Sequence, residues 1–242
     1  AFLTMSGEGA AMRILTIALA FAALAAPANA ATRNFGVSGF DRIRVDGPYR
    51  VKLATGVPPY AKATASSGSA LDGLVLDVQG RTLVVRSNRK SWGGYPGEAT
   101  GPVEISIGTH ELTAAWLNGA GTLAIDKLRG LAFDLAVHGS GAASVGAVDV
   151  DQFKVAVSGT AAVGLTGSAK KLTATVLGVS TLQAVALTSK DAIFTASGPA
   201  TIRATVTETV KVNAEGPSTV DLAGSPACII KAAGSASVTG CR

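Results

Sequence analysis

The chain has 242 residues, of which 48% are hydrophobic and only 5% aromatic, with 29 glycines and a net charge of +5. Its two histidines, His110 and His138, stand 28 residues apart and its two cysteines 13 apart, which is not the spacing of a His- or Cys-built metal centre. The basic excess lies toward the amino-terminal side, ten Lys or Arg against six acids over 31–110 and ten against nine over 111–242. With no basic-aromatic motif present, it suits acidic glycans or lipid headgroups better than nucleic acid; the blander alternative is a solvated surface with no charged partner.

Residues 1–30 read as a processing segment. Met12-Arg13 opens a short basic region, Ile14–Ala26 is apolar apart from Thr16, and Ala28-Asn29-Ala30 is an A-x-A cleavage pattern. Together these are the signature of a secretory signal peptide cut after Ala30. The apolar run falls short of the roughly 20 residues that span a bilayer, so no stable membrane span is expected. No cysteine follows the small residues to accept a lipid, and Ala1–Ala11 lie ahead of a natural start at Met12. Residues 31–242 are expected to form one exported β domain, in the periplasm or at the cell surface.

The segment from Phe35 to His110 is rich in strand patterns, though not in the register of the repeat that follows it. FDRIRVDG and YRVKLATG alternate, with Phe40, Ile43, Val45, Val51 and Leu53 apolar around a turn at Asp46-Gly47-Pro48. LDGLVLDVQGRTLVVRS predicts a hairpin closed at Gln79-Gly80, and GPVEISIG a further strand. Between them, 88–100 is the one long loop, holding Gly93, Gly94, Pro96 and Gly97. Its Trp92 and Tyr95, beside Arg86, Arg89 and Lys90, are the candidate surface contacts. An exposed aromatic pair near cations stacks on a sugar ring or a partner; the alternative is that the pair pins the loop to the body.

From Leu112 to Cys241 one glycine-centred phrase recurs seven times: LNGAGTLAI, VHGSGAASV, VSGTAAVGL, VLGVSTLQA, ASGPATIRA, AEGPSTVDL and AAGSASVTG. The anchors are Gly119, Gly139, Gly159, Gly178, Gly198, Gly216 and Gly234, in steps of 20, 20, 19, 20, 18 and 18 residues. A fixed period near 20 marks a solenoid. Apolar residues stand two and four before each anchor (Leu117, Val137 and Val157; Leu135, Val155 and Phe194), and another stands four after it (Leu123, Val163, Ile202). Period-two alternation makes these strands with one buried face, meeting at a corner where glycine takes a positive φ. No single coil buries its apolar side, so neighbours must cover one another. The coils lack the leucine framework and Asn ladder of leucine-rich repeats, the G-G-x-G-x-D calcium nonapeptide and any six-residue period. The fold expected is all-β: a right-handed parallel β-helix, a solenoid of about seven coils of 18–20 residues, with a β-rich N-terminal portion.

The order FDRIRVDG, YRVKLATG, LVLDVQGRTLVVR and VEISIGTHELT, followed by phrases such as Val137-His138-Gly139-Ser140-Gly141, resembles the putative auto-transporter adhesin head domain of GIN type over essentially all of 33–242. The resemblance implies a β-helical exported bacterial protein with an adhesive or envelope role and no assigned chemistry. The family's Ser-Gly-Ser-Gly phrase stands here as Ser-Gly-Thr-Ala at 158–161 and Ser-Gly-Pro-Ala at 197–200, and no functional residue carries over.

Polysaccharide-active β-helices need clustered carboxylates on one stripe, for calcium or for acid–base attack. Asp151, Lys171 and Asp191 have the spacing to stack, but alternating charges make a surface ladder rather than an acid pair; Asp149 with Asp151 is the one close pair of acids. Ser140 lies two residues from His138 with no third group to orient them, which is not a nucleophile triad. His110 is more than one coil away, and His138 reads as an outward corner residue. No catalytic residue, metal or cofactor is expected. Cys228 falls in the inward column of Phe133, Phe153, Leu172 and Val210, and Cys241 follows the last coil; in an exported chain the two are expected to form a disulfide stapling the carboxyl end. Three function classes remain: a non-enzymatic module binding an envelope or extracellular glycan or protein, a structural periplasmic protein that self-associates through a solenoid edge, and, least favoured, a glycan-active enzyme.

Overall fold

The computed structural model describes residues 30–88 and 102–242. Residues 1–29, which carry nearly all of the signal-peptide pattern, and Trp92 and Tyr95 lie outside them. In chain order the strands are β1 (Ala31–Phe35), β2 (Arg42–Asp46), β3 (Arg50–Thr55), β4 (Tyr60–Ala65), β5 (Leu74–Gln79), β6 (Thr82–Ser87), β7 (Glu104–Thr109), β8 (Ala114–Gly119) and β9 (Thr122–Gly139). There follow β10 (Ala142–Gly159), β11 (Ala162–Gly178), β12 (Thr181–Ser197), β13 (Thr201–Glu215), β14 (Thr219–Ala223), β15 (Ala227–Ala233) and β16 (Ser237–Thr239), with one short helix, α1 (Gly68–Asp72), before β5. All sixteen strands belong to one sheet wound into a parallel β-solenoid.

The period of the sequence is the period of the stack. Phe133, Phe153 and Leu172 lie opposite one another in β9, β10 and β11, as do Val137, Val157 and Val176, and all six side chains are buried. Fully burying a Val, Leu or Phe side chain contributes about 1.5–3 kcal/mol, and only the neighbouring coil supplies the cover. The Phe133 and Phe153 rings meet with centroids 5.4 Å apart. The seven anchor glycines all have positive φ, between 69° and 111°, and bound six complete turns.

Each turn has a third side that the two-strand reading of the repeat omits. Long strands such as β9 and β10 bend after the first inward residues and pass through a further buried column that includes Leu128 and Val148. Register irregularities fall at this bend, between Val145 and Val148, between Gly164 and Gly167 and between Ala184 and Thr188, and they absorb the variation between 18- and 20-residue coils.

The N-terminal segment is in register with the repeat, which corrects the expectation that it is not. β2 pairs in parallel with β8, Ile43 opposite Ala115 and Val45 opposite Leu117; β3 pairs with β9, Val51 opposite Leu123. Gly47 (φ 132°) is the corner between β2 and β3, and its N–H donates to the Asn118 carbonyl at 3.0 Å. FDRIRVDG-PYRVKL is therefore a coil of the same kind. β6 and β7 continue both stacks beyond it, also in parallel, so the spatial order of coils differs from the chain order. The hairpin at Gln79-Gly80 forms as expected, with β5 antiparallel to β6, while β4 lies antiparallel to β7 and β1 to β4. These antiparallel strands close the amino-terminal end of the stack, a means of blunting an edge that would otherwise template further pairing.

Candidate functional surface

The glycine phrase proves to be a packing device. The anchor supplies the positive φ, and in the first two repeats a second glycine two residues later supplies room. A Cβ at Gly121 would stand 2.6 Å from the Gly47 carbonyl oxygen, and one at Gly141 would stand 2.8 Å from that of Gly121. From the third repeat to the sixth this position is Ala161, Ser180, Ala200 and Ser218, all buried, and the anchor φ goes from 108°, 111° and 99° at Gly119, Gly139 and Gly159 to 69–81° from Gly178 on. The corner thus changes shape one coil after the second glycine is lost.

Next to the anchors an outward polar column runs across four coils. The Asn118 amide donates to Asp46 at 2.6 Å, and His138 Nδ1 and Ser158 Oγ are 2.7 Å apart. Burial pushes the Asp46 carboxyl up, but hydrogen bonds from Arg44 and Asn118 and the charges of Arg44 and Arg86 outweigh it, so Asp46 lies below the ordinary carboxylate range. His138 is exposed at the corner as expected, and its hydroxyl partner is Ser158 of the next coil rather than Ser140. Among the described residues no hydrogen bond brings a carboxylate to the other ring nitrogen of His138, the orienting contact of an activated nucleophile.

The acidic residues are held by neighbours one coil away. Lys171 does stack on Asp191, but the residue across from Lys171 on β10 is Gln152, not Asp151. Asp151 instead pairs with Lys170 at 2.8 Å, so the expected three-residue column does not form. The Thr209 hydroxyl donates to Asp191, and Asp221 receives Arg203 at 3.3 Å and the Thr239 hydroxyl at 2.8 Å. Asp149 lies across from Arg129 on β9 and Ser168 on β11. Among the described residues no three His, Cys, Asp or Glu side chains converge on a common point. Cys228 and Cys241 form the disulfide, Cα to Cα 5.8 Å, with Cys228 directly below Val210 in its column.

Trp116 is the residue the sequence reading missed. Its outward column continues as Ala136, Ala156, Thr175 and Thr195, so one half-buried indole stands in a row of small side chains. The hollow on its carboxyl-terminal side has a volume of ≈ 320 Å³ and is lined by Asp134, Ala136, Lys154, Ala156 and Thr175 among others. The signal was present in the repeat: aligned on the anchors, Trp116 is the one aromatic at a position otherwise held by Ala, Thr, Asn or Lys.

Residues 39–226 match the family of the putative auto-transporter adhesin, head GIN domain, and the chain belongs to that family. No curated protein matches it. Its fold is similar to the crystal structure of a putative adhesin from Bacteroides fragilis, with 17% identity, 86% of this chain and 95% of that chain covered, and a TM-score of 0.78. It is also similar to a protein of Parabacteroides distasonis described as a putative lipid binding protein, with 18% identity, 87% and 96% covered, and a TM-score of 0.68. A putative adhesin from the same organism aligns at 16% identity over 86% and 95%, with a TM-score of 0.65. Among the described residues no helix is long and apolar enough to cross a membrane.

Proposed function

We propose that the chain is an exported, non-enzymatic binding module of the cell envelope that holds a glycan or protein of the envelope or the extracellular space. The observation that carries this reading is the outward surface of the coils. Parallel pairing brings like positions into columns, so Ala136, Ala156, Thr175 and Thr195 on one face and Thr181, Thr201 and Thr219 on another form long rows of small side chains. Rigid rows on a regular strand spacing suit the repeated contacts of an extended partner. The adhesin names of the family and of structural neighbours point the same way, and the lipid-binding name of one neighbour places lipid on the list of partners to test.

The test is a binding panel of neutral and acidic polysaccharides, matrix proteins and lipid vesicles, read by surface capture, with reducing-end release followed in parallel. Saturable capture of at least one polymer with no release is expected. Release of reducing ends that disappears on replacing Asp149, Asp151 or Asp191 would overturn the reading. A second reading, self-association through the solenoid edge, is favoured by Ile229 and Ile230 on β15, 61% and 43% exposed beside an edge that pairs with no other described strand; concentration-dependent sedimentation tests it.

A further inference from the structure

We propose that the hollow beside Trp116 is a binding subsite for one uncharged pyranose unit of a glycan chain; this rests on the binding-module reading and names its ligand. Side chains on one face of a strand stand roughly perpendicular to the sheet, and those of adjacent coils repeat every 4.7–4.9 Å or so. Trp116 and Thr175 occupy one outward column with Ala136 and Ala156 between them. The floor is therefore two alanines deep and the walls are an indole and a threonine, roughly three strand spacings, or about 14 Å, apart from backbone to backbone. The hollow measures ≈ 320 Å³, at the small end of the roughly 300–1,000 Å³ of ligand sites and suited to a single ring.

The chemistry of the lining selects the ligand. An indole face offers a flat apolar surface with negative quadrupole, which receives the C–H face of a sugar ring. Beside it lie Asp134 and Lys154, opposite one another on β9 and β10 and both exposed. One accepts hydroxyl protons and the other donates, while their charges cancel, so the slot favours a polyhydroxylated neutral ring over a uronate or a phosphate. The Thr175 hydroxyl both donates and accepts. On its other side Trp116 borders a second hollow of ≈ 740 Å³ that runs between Arg42 and Arg129, so a polymer has a path past the indole.

The chain has two tryptophans, so Trp92→Phe leaves Trp116 as the sole indole reporter. The full chain, purified from the envelope fraction, is titrated with neutral hexasaccharides of glucose, N-acetylglucosamine, xylose and mannose, with hexagalacturonate and phosphocholine vesicles as competing probes. The expected result is a saturable change in Trp116 emission with at least one neutral hexasaccharide. In a chain retaining Trp92, calorimetry should show affinity at least tenfold weaker after Trp116→Ala. Ala156→Arg, which fills the slot and leaves the indole, should have the same effect, whereas Ala142→Arg on another face should have none. Binding that survives both slot variants, response to hexagalacturonate or vesicles alone, or no response to any hexasaccharide overturns the proposal. If Trp116→Ala still captures a polymer of the wider panel, the slot fails and the binding-module reading stands; if the unmodified chain captures nothing, both fail.

Discussion

Three glycines of the solenoid, two at anchors and one within a strand, should respond very differently to alanine, because each meets different surroundings. Gly159 sits at a corner with φ 99°, and an added Cβ would meet the Gly139 carbonyl oxygen at 2.4 Å. Left-handed backbone costs an L-residue about 1–2 kcal/mol, and overpacking against backbone costs about 1–3 more, so Gly159→Ala is expected to destabilise by about 3 kcal/mol. Gly198 has φ 81° but no backbone atom nearer than 3.4 Å, leaving only the conformational cost, about 1–2 kcal/mol. Gly164 lies in β11 with nothing within 4 Å of the added atom, and alanine there should stabilise by about 0.5–1 kcal/mol through the lower entropy of the unfolded chain. In a chain of this size each kcal/mol moves Tm by about 2–4 °C. Thermal unfolding followed by circular dichroism should thus rank Gly164→Ala above the unmodified chain, Gly198→Ala a few degrees below it, and Gly159→Ala lower by roughly 6–12 °C. Equal losses at Gly164 and Gly159 would refute the corner as the reason for the glycines.

Two further outcomes follow from local features. Replacing Cys228 and Cys241 by Ser opens a loop whose ends are 13 residues apart and costs about 3 kcal/mol in the chain-entropy model; because coils contact only their neighbours, hydrogen exchange should accelerate over 227–241 while β9–β11 stay protected, and uniform acceleration would contradict this. Asp46 titrates lower in the folded chain than in the unfolded one, so its stabilisation is present above the unfolded value of about 3.9 and lost as pH falls through the lower folded value. The stability gap between the unmodified chain and Asp46→Asn should therefore close below about pH 4, and a gap constant from pH 7 to pH 3 would sink the assignment.

The repeat was legible because its physics is one-dimensional: inward residues such as Val137 and Val157 recur at the coil period, and a corner needs its glycine in every turn. The first coil was hidden for the same reason. Gly47 stacks on Gly119, yet 72 residues separate them in sequence, because the chain leaves after β3 to build the amino-terminal end and returns at β8. Val45-Asp46-Gly47 and Leu117-Asn118-Gly119 share the pattern, but a search by fixed spacing passes over it. The charged column failed at a finer scale. Asp151 is one residue out of register with Lys171, and since side chains alternate along a strand, a one-residue slip changes the partner. In the sequence Trp116 is one aromatic in a strand, less conspicuous than Trp92 and Tyr95 in the glycine-rich loop, which lie outside the described residues. Its meaning depends on Ala136 and Ala156 being small two coils in a row, a relation that only the parallel stacking of β8, β9 and β10 brings into view.

Protease shaving of intact cells, with detection of the processed chain and of a periplasmic marker, tests most directly whether this solenoid is displayed to an outside partner. Loss of the chain while the marker survives is the expected result, and it would direct the glycan panel at the external face. Protection of both would contradict display, and the partner would then have to be sought within the periplasm.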